Sequence, residues 1–116
     1  MNYKGLLIGA LLYTVGQAMA WYQTNGQFIN GWIKDHPVLT SLVFGIPVGV
    51  CYIYGTTYVV GAFEGQVWPS RIVGFSTGIF TFTLLTTLHL GQSIDLKTGV
   101  ILGLATVIVL LQAFWK

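Results

Sequence analysis

Ile72–Leu90 (IVGFSTGIFTFTLLTTLHL) and Thr98–Trp115 (TGVILGLATVIVLLQAFW), joined by Gly91-Gln92-Ser93-Ile94-Asp95-Leu96-Lys97, decide the fold. The two runs are 19 and 18 residues long and contain no Asp, Glu, Lys or Arg. As helices each spans roughly 27 Å, close to the hydrocarbon thickness of a bilayer. The one titratable side chain in either is His89, next to the end of the first. A chain of 116 residues has no means of hiding two such helices from water. The pattern predicts a membrane hairpin, with the rest of the chain packed beside it.

The composition points the same way. Charged residues make up 7% and hydrophobic residues 54% of the chain, and mean hydropathy is +0.75, far from the quarter of charged residues usual in soluble domains. The length suits one domain, residues 1–116. A net charge of +2, scattered along the chain, gives no footprint for nucleic acid. The single cysteine, Cys51, excludes an intramolecular disulfide. No Cys/His cluster, phosphate-binding glycine loop or nucleophile–base spacing is present, so neither a metal, a cofactor nor an enzyme activity is expected.

Working back from the hairpin, Val67-Trp68-Pro69-Ser70-Arg71 opens the third helix, and Glu64-Gly65-Gln66 forms a tight turn before it. Val38–Phe63 is the second helix, long enough to tilt, with Pro47 predicting a kink near Phe44–Ile46. Lys34-Asp35-His36-Pro37 reads as its start, with Asp35 placed to accept from the first turn and Pro37 at the first helical position. Gln23–Pro37 is a polar, glycine-containing loop whose Phe28, Ile29, Trp32 and Ile33 hold it against headgroups. Gly5–Trp21 follows the short positive segment Met1–Lys4. Its Ala18-Met19-Ala20 also resembles a signal-peptide cleavage site. The segment is retained in the chain, which favours a first transmembrane helix with Trp21 and Tyr22 at the interface. The expectation is therefore an all-α integral membrane protein, four transmembrane helices (5–21, 38–63, 72–90, 98–115) in a compact bundle.

Each helix carries glycines four apart: Gly5/Gly9, Gly45/Gly49, Gly74/Gly78 and Gly99/Gly103. Such pairs share a face and let two backbones approach, which matters where lipid supplies no hydrophobic drive for association. They predict a tightly packed bundle with a pair left over for a second chain. Lys4, Arg71 and Lys116 fall on one membrane face, Lys34 and Lys97 on the other, a lean toward cytoplasmic termini in an inner or plasma membrane.

Candidate binding residues are Tyr13, Gln17, Tyr54 and Tyr58, with Tyr52, as the wall of an aromatic cavity for an amphipathic ligand; the same residues also read as ordinary packing. Glu64 and Arg71 bracket the second turn and are placed to pair as a solvated ion pair. His89 reads as an interfacial residue bonded to a nearby hydroxyl or carbonyl.

Leu90–Gly103 resembles the last hairpin of the small multidrug resistance transporters and the wider drug/metabolite transporter superfamily, which end in a Gly-(Gln/Glu) turn, a polar linker and a glycine-containing fourth helix. Gly9-Ala10-Leu11-Leu12-Tyr13-Thr14-Val15 is similar to their first helix in position and texture. The resemblance implies a four-helix transporter that works as a dimer. It also implies a first-helix glutamate shared by proton and substrate, but Thr14 stands at that position and Gly5–Trp21 contains no acid. Proton-driven antiport therefore does not carry over, and Thr14 joins the candidate substrate contacts. Two roles remain: a homodimeric transporter for a neutral or lipid-like solute, or an accessory subunit packed on a larger membrane complex.

Overall fold

The computed structural model describes residues 2–92 and 94–115, the side chain of Ala113 excepted. Ser93 of the hinge, Met1, and Lys116 with its expected charge lie outside them. Five α-helices account for most of the chain: α1 (Tyr3–Asn25), α2 (Gly31–Asp35), α3 (Pro37–Ala62), α4 (Trp68–Leu90) and α5 (Leu96–Phe114), with a 3-10 turn at Gly26–Phe28. Three of the helical segments, Tyr3–Phe28, Pro37–Ala62 and Trp68–Leu90, are long and apolar enough to cross a membrane. The apolar stretch of α5, Leu96–Gln112, is shorter.

The large side chains are on the outside. Leu7, Leu11, Leu42, Ile46, Ile53, Leu84, Leu88, Leu104 and Phe114 are all exposed, while the buried apolar side chains among the described residues are Tyr13, Trp21, Val48, Val59, Ala62, Pro69 and Ala105. Thr40, Ser70, Ser76, Thr81 and Thr86 are buried with them, as are Gly5, Gly9, Gly16, Gly26 and Gly55. In water this distribution would leave most of the surface apolar. In lipid it is the expected one, because branched aliphatic chains match the solvent and small residues let helices touch. The chain is an all-α multi-pass membrane protein.

Packing centres on α1, which lies against α3 along its length and against α4 over a shorter stretch; α5 packs chiefly on α4. The result is flatter than a compact bundle. It measures 47 × 35 × 18 Å, with a radius of gyration of 15.5 Å against about 13 Å for a compact chain of this size.

The glycine pairs divide accordingly. A Cβ on Gly9 would collide with Val59 and lie 2.9 Å from the Gly55 carbonyl, and one on Gly5 would lie 3.4 Å from the Tyr58 carbonyl. On α4, Gly78 lies under Gln17 and Gly74 under the Tyr13 ring. Gly45, Gly49, Gly99 and Gly103 meet nothing within 4 Å. A residue outside the four-apart pairs, Gly55, is the one that seats Tyr13 (a Cβ there would be 2.8 Å from the ring).

Helix ends differ from expectation in instructive ways. α1 runs four residues past Trp21, so Trp21 is buried rather than interfacial, and its indole N–H donates to Thr86 Oγ1 at 3.0 Å. Part of the Gln23–Pro37 loop folds as α2, capped by the Asn30 side chain accepting from the Trp32 N–H. Asp35 ends that helix and does not cap α3, whose N-cap is His36. The His36 ring stacks on Trp32 at 4.5 Å, and its Nδ1 donates to the Trp32 carbonyl at 2.7 Å, holding the corner between α2 and α3. α3 continues helical through Pro47. Glu64 and Gly65 both adopt positive φ in the turn, and Gly91 ends α4 in the left-handed conformation. α5 begins at Leu96 because the Asp95 carboxylate accepts from the Thr98 N–H at 2.8 Å.

Two predictions follow from these contacts. Gly9→Leu should destabilise the protein by about 1–3 kcal/mol, since backbone on α3 blocks the added atoms, whereas Gly45→Leu should change stability by less than about 0.5 kcal/mol; denaturant unfolding in mild detergent separates them. The Thr98 amide also holds the Asp95 carboxyl below its ordinary range. A lowered folded-state pKa means that the ionised cap stabilises above the usual carboxylate range and the benefit is lost as pH falls through the lowered value. Lowering the pH from about 6 to about 3 should therefore loosen the α4–α5 hairpin more in the wild type than in Asp95→Asn, which keeps a capping oxygen without a charge; thermal unfolding midpoints across that range check it.

Candidate functional site

Two recesses lie on opposite sides of α4. The larger, about 870 Å³, runs between α3, α4 and α5 with α1 at its base, and Tyr13, Gln17, Tyr52, Thr56, Arg71 and Thr83 are among its lining residues. The smaller, about 350 Å³, is bounded by Thr14, Phe80, Leu84, Thr106 and their neighbours.

The base of the larger cleft is ordered by Tyr13. Its ring lies between Gly55 of α3 and Gly74 of α4, a position that any Cβ on Gly55 would deny it. Its hydroxyl shares a 2.7 Å hydrogen bond with Thr56 Oγ1, and its ring centroid is 6.2 Å from that of Tyr52. One turn further along α1, Gln17 Nε2 donates to the Gly74 carbonyl at 3.3 Å. The amide covers Gly78, so its placement depends on the missing side chain there.

Of the residues expected to bind solute, Tyr13 and Gln17 meet in this cleft together with Tyr52. Thr14 lies in the smaller recess, and its hydroxyl donates back to the Ala10 carbonyl at 2.8 Å. Tyr54 and Tyr58 are exposed on the outside of α3, 58% and 43% accessible. Positions 52 and 56 are four apart and share a helix face; 54 and 58 share another. Thr56 was the missed residue, and that spacing from Tyr52 was the signal for it. Gly45 and Gly49 continue the same face by spacing and meet nothing within 4 Å.

At the opposite end of α1, Tyr22 OH is 2.8 Å from His89 Nε2, and the His89 ring stacks on Trp21 at 5.4 Å. This group ties the C-terminal ends of α1 and α4. The acids stay at the margins: Asp35, Glu64 and Asp95 all lie at helix ends or in turns, and none lines either recess. Glu64 and Arg71 form no ion pair, and among the described residues no N···O contact between opposite charges falls within 4.0 Å. No cluster of three metal-ligating side chains occurs among the described residues.

The cleft is therefore an apolar slot with hydroxyl and amide groups at its base and one cation, Arg71, along its wall. Such an arrangement suits an amphipathic molecule. Tyr13→Phe and Thr56→Val should each cost about 0.6–1 kcal/mol, and the double variant little more than either alone, since each removes the same hydrogen bond; a double-mutant cycle of unfolding free energies measures the coupling.

No protein-family model matches the chain, and neither the curated proteins nor the solved structures contain a significant match to it.

Proposed function

We propose that the chain is one unit of a small membrane transporter that admits a neutral or lipid-like solute through the open side of the larger cleft. The observation that carries this reading is the cleft itself: apolar along its length, polar at its base through Tyr13, Thr56 and Gln17, and free of carboxylates. In this reading α5 is the fourth crossing, its 19 residues reaching about 28 Å. Four crossings return both termini to one face, and the lysine and arginine bias favours the cytoplasmic side. The resemblance of Leu90–Gly103 to the terminal hairpin of small multidrug transporters supports a paired arrangement. The absence of a first-helix acid separates the mechanism from theirs.

A second reading, a non-catalytic accessory subunit in a larger membrane complex, draws on a different observation. Gly45, Gly49, Gly99 and Gly103 meet no neighbour within the chain, and unfilled glycine notches are places where helices of another protein fit.

Reconstitution in proteoliposomes tests the first reading, with uptake of neutral aromatic solutes and translocation of fluorescent lipid analogues as readouts. Wild type should move at least one of these classes, and Ile101→Trp, which fills the cleft from α5, should abolish movement while helix content stays unchanged. Absence of flux for both classes from folded protein would remove the transport reading. Native mass measurement after mild extraction addresses the second: a homodimer favours transport, and co-purification with unrelated chains favours the accessory role.

A further inference from the structure

The larger cleft has a polarity along its length that a neutral solute does not require. At one end are Val67, Ser70 and Arg71, at the start of α4; at the other are Phe82 and Thr83, beside Ile101 of α5. Val67 and Thr83 are about 24 Å apart along the axis of α4, close to the depth of a bilayer's hydrocarbon core. Arg71 is the cation lining this groove, it stands at one end, and no acidic residue lines the groove to neutralise it. The guanidinium has no carboxylate within 4.0 Å among the described residues. The end of α4 beside it adds to the positive potential, since its N-cap is Val67, whose side chain offers no acceptor to the first turn. A planar guanidinium at the margin of a membrane helix, opening onto an apolar channel, matches an oxyanion attached to a hydrocarbon chain. Basic pockets between membrane helices hold anionic headgroups by the same chemistry.

We propose that the groove binds a phospholipid of the surrounding bilayer with an anionic headgroup, the headgroup on Arg71 and one acyl chain laid along α4 toward Thr83. The proposal rests on the cleft described above and names the class of lipid-like molecule that it takes. Binding and movement are separable. Lipid bound without flux would sink transport and leave this site standing, whereas flux without a charge preference would do the reverse.

The test is native mass spectrometry of the purified full chain, delipidated in detergent, against equimolar phosphatidylglycerol and phosphatidylcholine of identical acyl composition. A separate arm adds oleate. Wild type should retain phosphatidylglycerol about tenfold over phosphatidylcholine, the worth of one charge-assisted contact. Arg71→Gln should bring that ratio to about one, and Arg71→Lys should keep part of it. Thr83→Trp, at the far end of the groove, should reduce retention of both lipids and leave their ratio unchanged. Circular dichroism reports whether each variant is folded; if Arg71→Gln is not, the Lys and Trp variants carry the decision. Equal retention of the two lipids by wild type, a preference that survives loss of the guanidinium, or binding indifferent to Thr83→Trp would each overturn the proposal. Displacement of phosphatidylglycerol by stoichiometric oleate would overturn it as well, by assigning the groove to a free single-chain anion.

Discussion

Tyr13 holds the arrangement together. Its ring is seated against α3 because position 55 is glycine and faces α4 across another glycine, Gly74, and its hydroxyl is satisfied by Thr56. Around this point α1 alternates small residues with side chains that cross to a neighbour: Gly5 and Gly9 admit the backbone of α3, and Gln17 reaches the carbonyl of Gly74. Lipid offers apolar side chains no reason to leave it, so contact geometry and hydrogen bonds supply what the hydrophobic effect supplies in water. α1 is the helix all of these contacts share.

The interior is accordingly rich in hydroxyls. Ser76 donates to the Ile72 carbonyl at 2.8 Å, Thr77 to the Gly74 carbonyl at 3.0 Å and Thr83 to the Ile79 carbonyl at 2.8 Å. Bonding back to their own helices removes the desolvation cost of these groups without committing them to a partner. Fewer hydroxyls and amides are spent between helices; among the described residues they include the Tyr13–Thr56, Gln17–Gly74, Trp21–Thr86 and Tyr22–His89 contacts that fix the register of α1 against its neighbours.

Much of the helical layout was legible from charge-free runs alone. The ends of α3 and α4 fall close to where Pro37, Pro69 and Gly91 place them, and the turn at Glu64–Gln66 is where expected. What periodicity could not supply was the identity of each helix's neighbour. Gly45/Gly49 and Gly5/Gly9 are the same motif, and only the first pair faces an opening, because the flat array puts nothing opposite it. Trp21 has the composition of an interfacial anchor, yet a helix extending to Asn25 carries it inside to meet Thr86. Asp35 looks like a cap for α3, but the Asn30-capped turn that precedes it consumes the residue as a helix end. Of the tyrosines in α3, the two exposed and the one in the cleft are separated by helical phase, a distinction present in the numbering but easily lost among similar side chains.

The unequal lengths of the helices bear on how the molecule responds to its surroundings. α1 and α3 contain 23 and 26 residues, about 35 and 39 Å, while α5 contains 19, about 28 Å. In the reading where α5 is the fourth crossing, a thick, sterol-rich bilayer suits the first two and stretches the last; a thin one suits α5 and forces the others to lean. Because α5 is fastened mainly to α4, mismatch in that reading would be relieved by shifting α5 and with it the wall it lends to the groove. Membrane thickness would thereby set the width of the groove, with no signalling ligand and no change of charge.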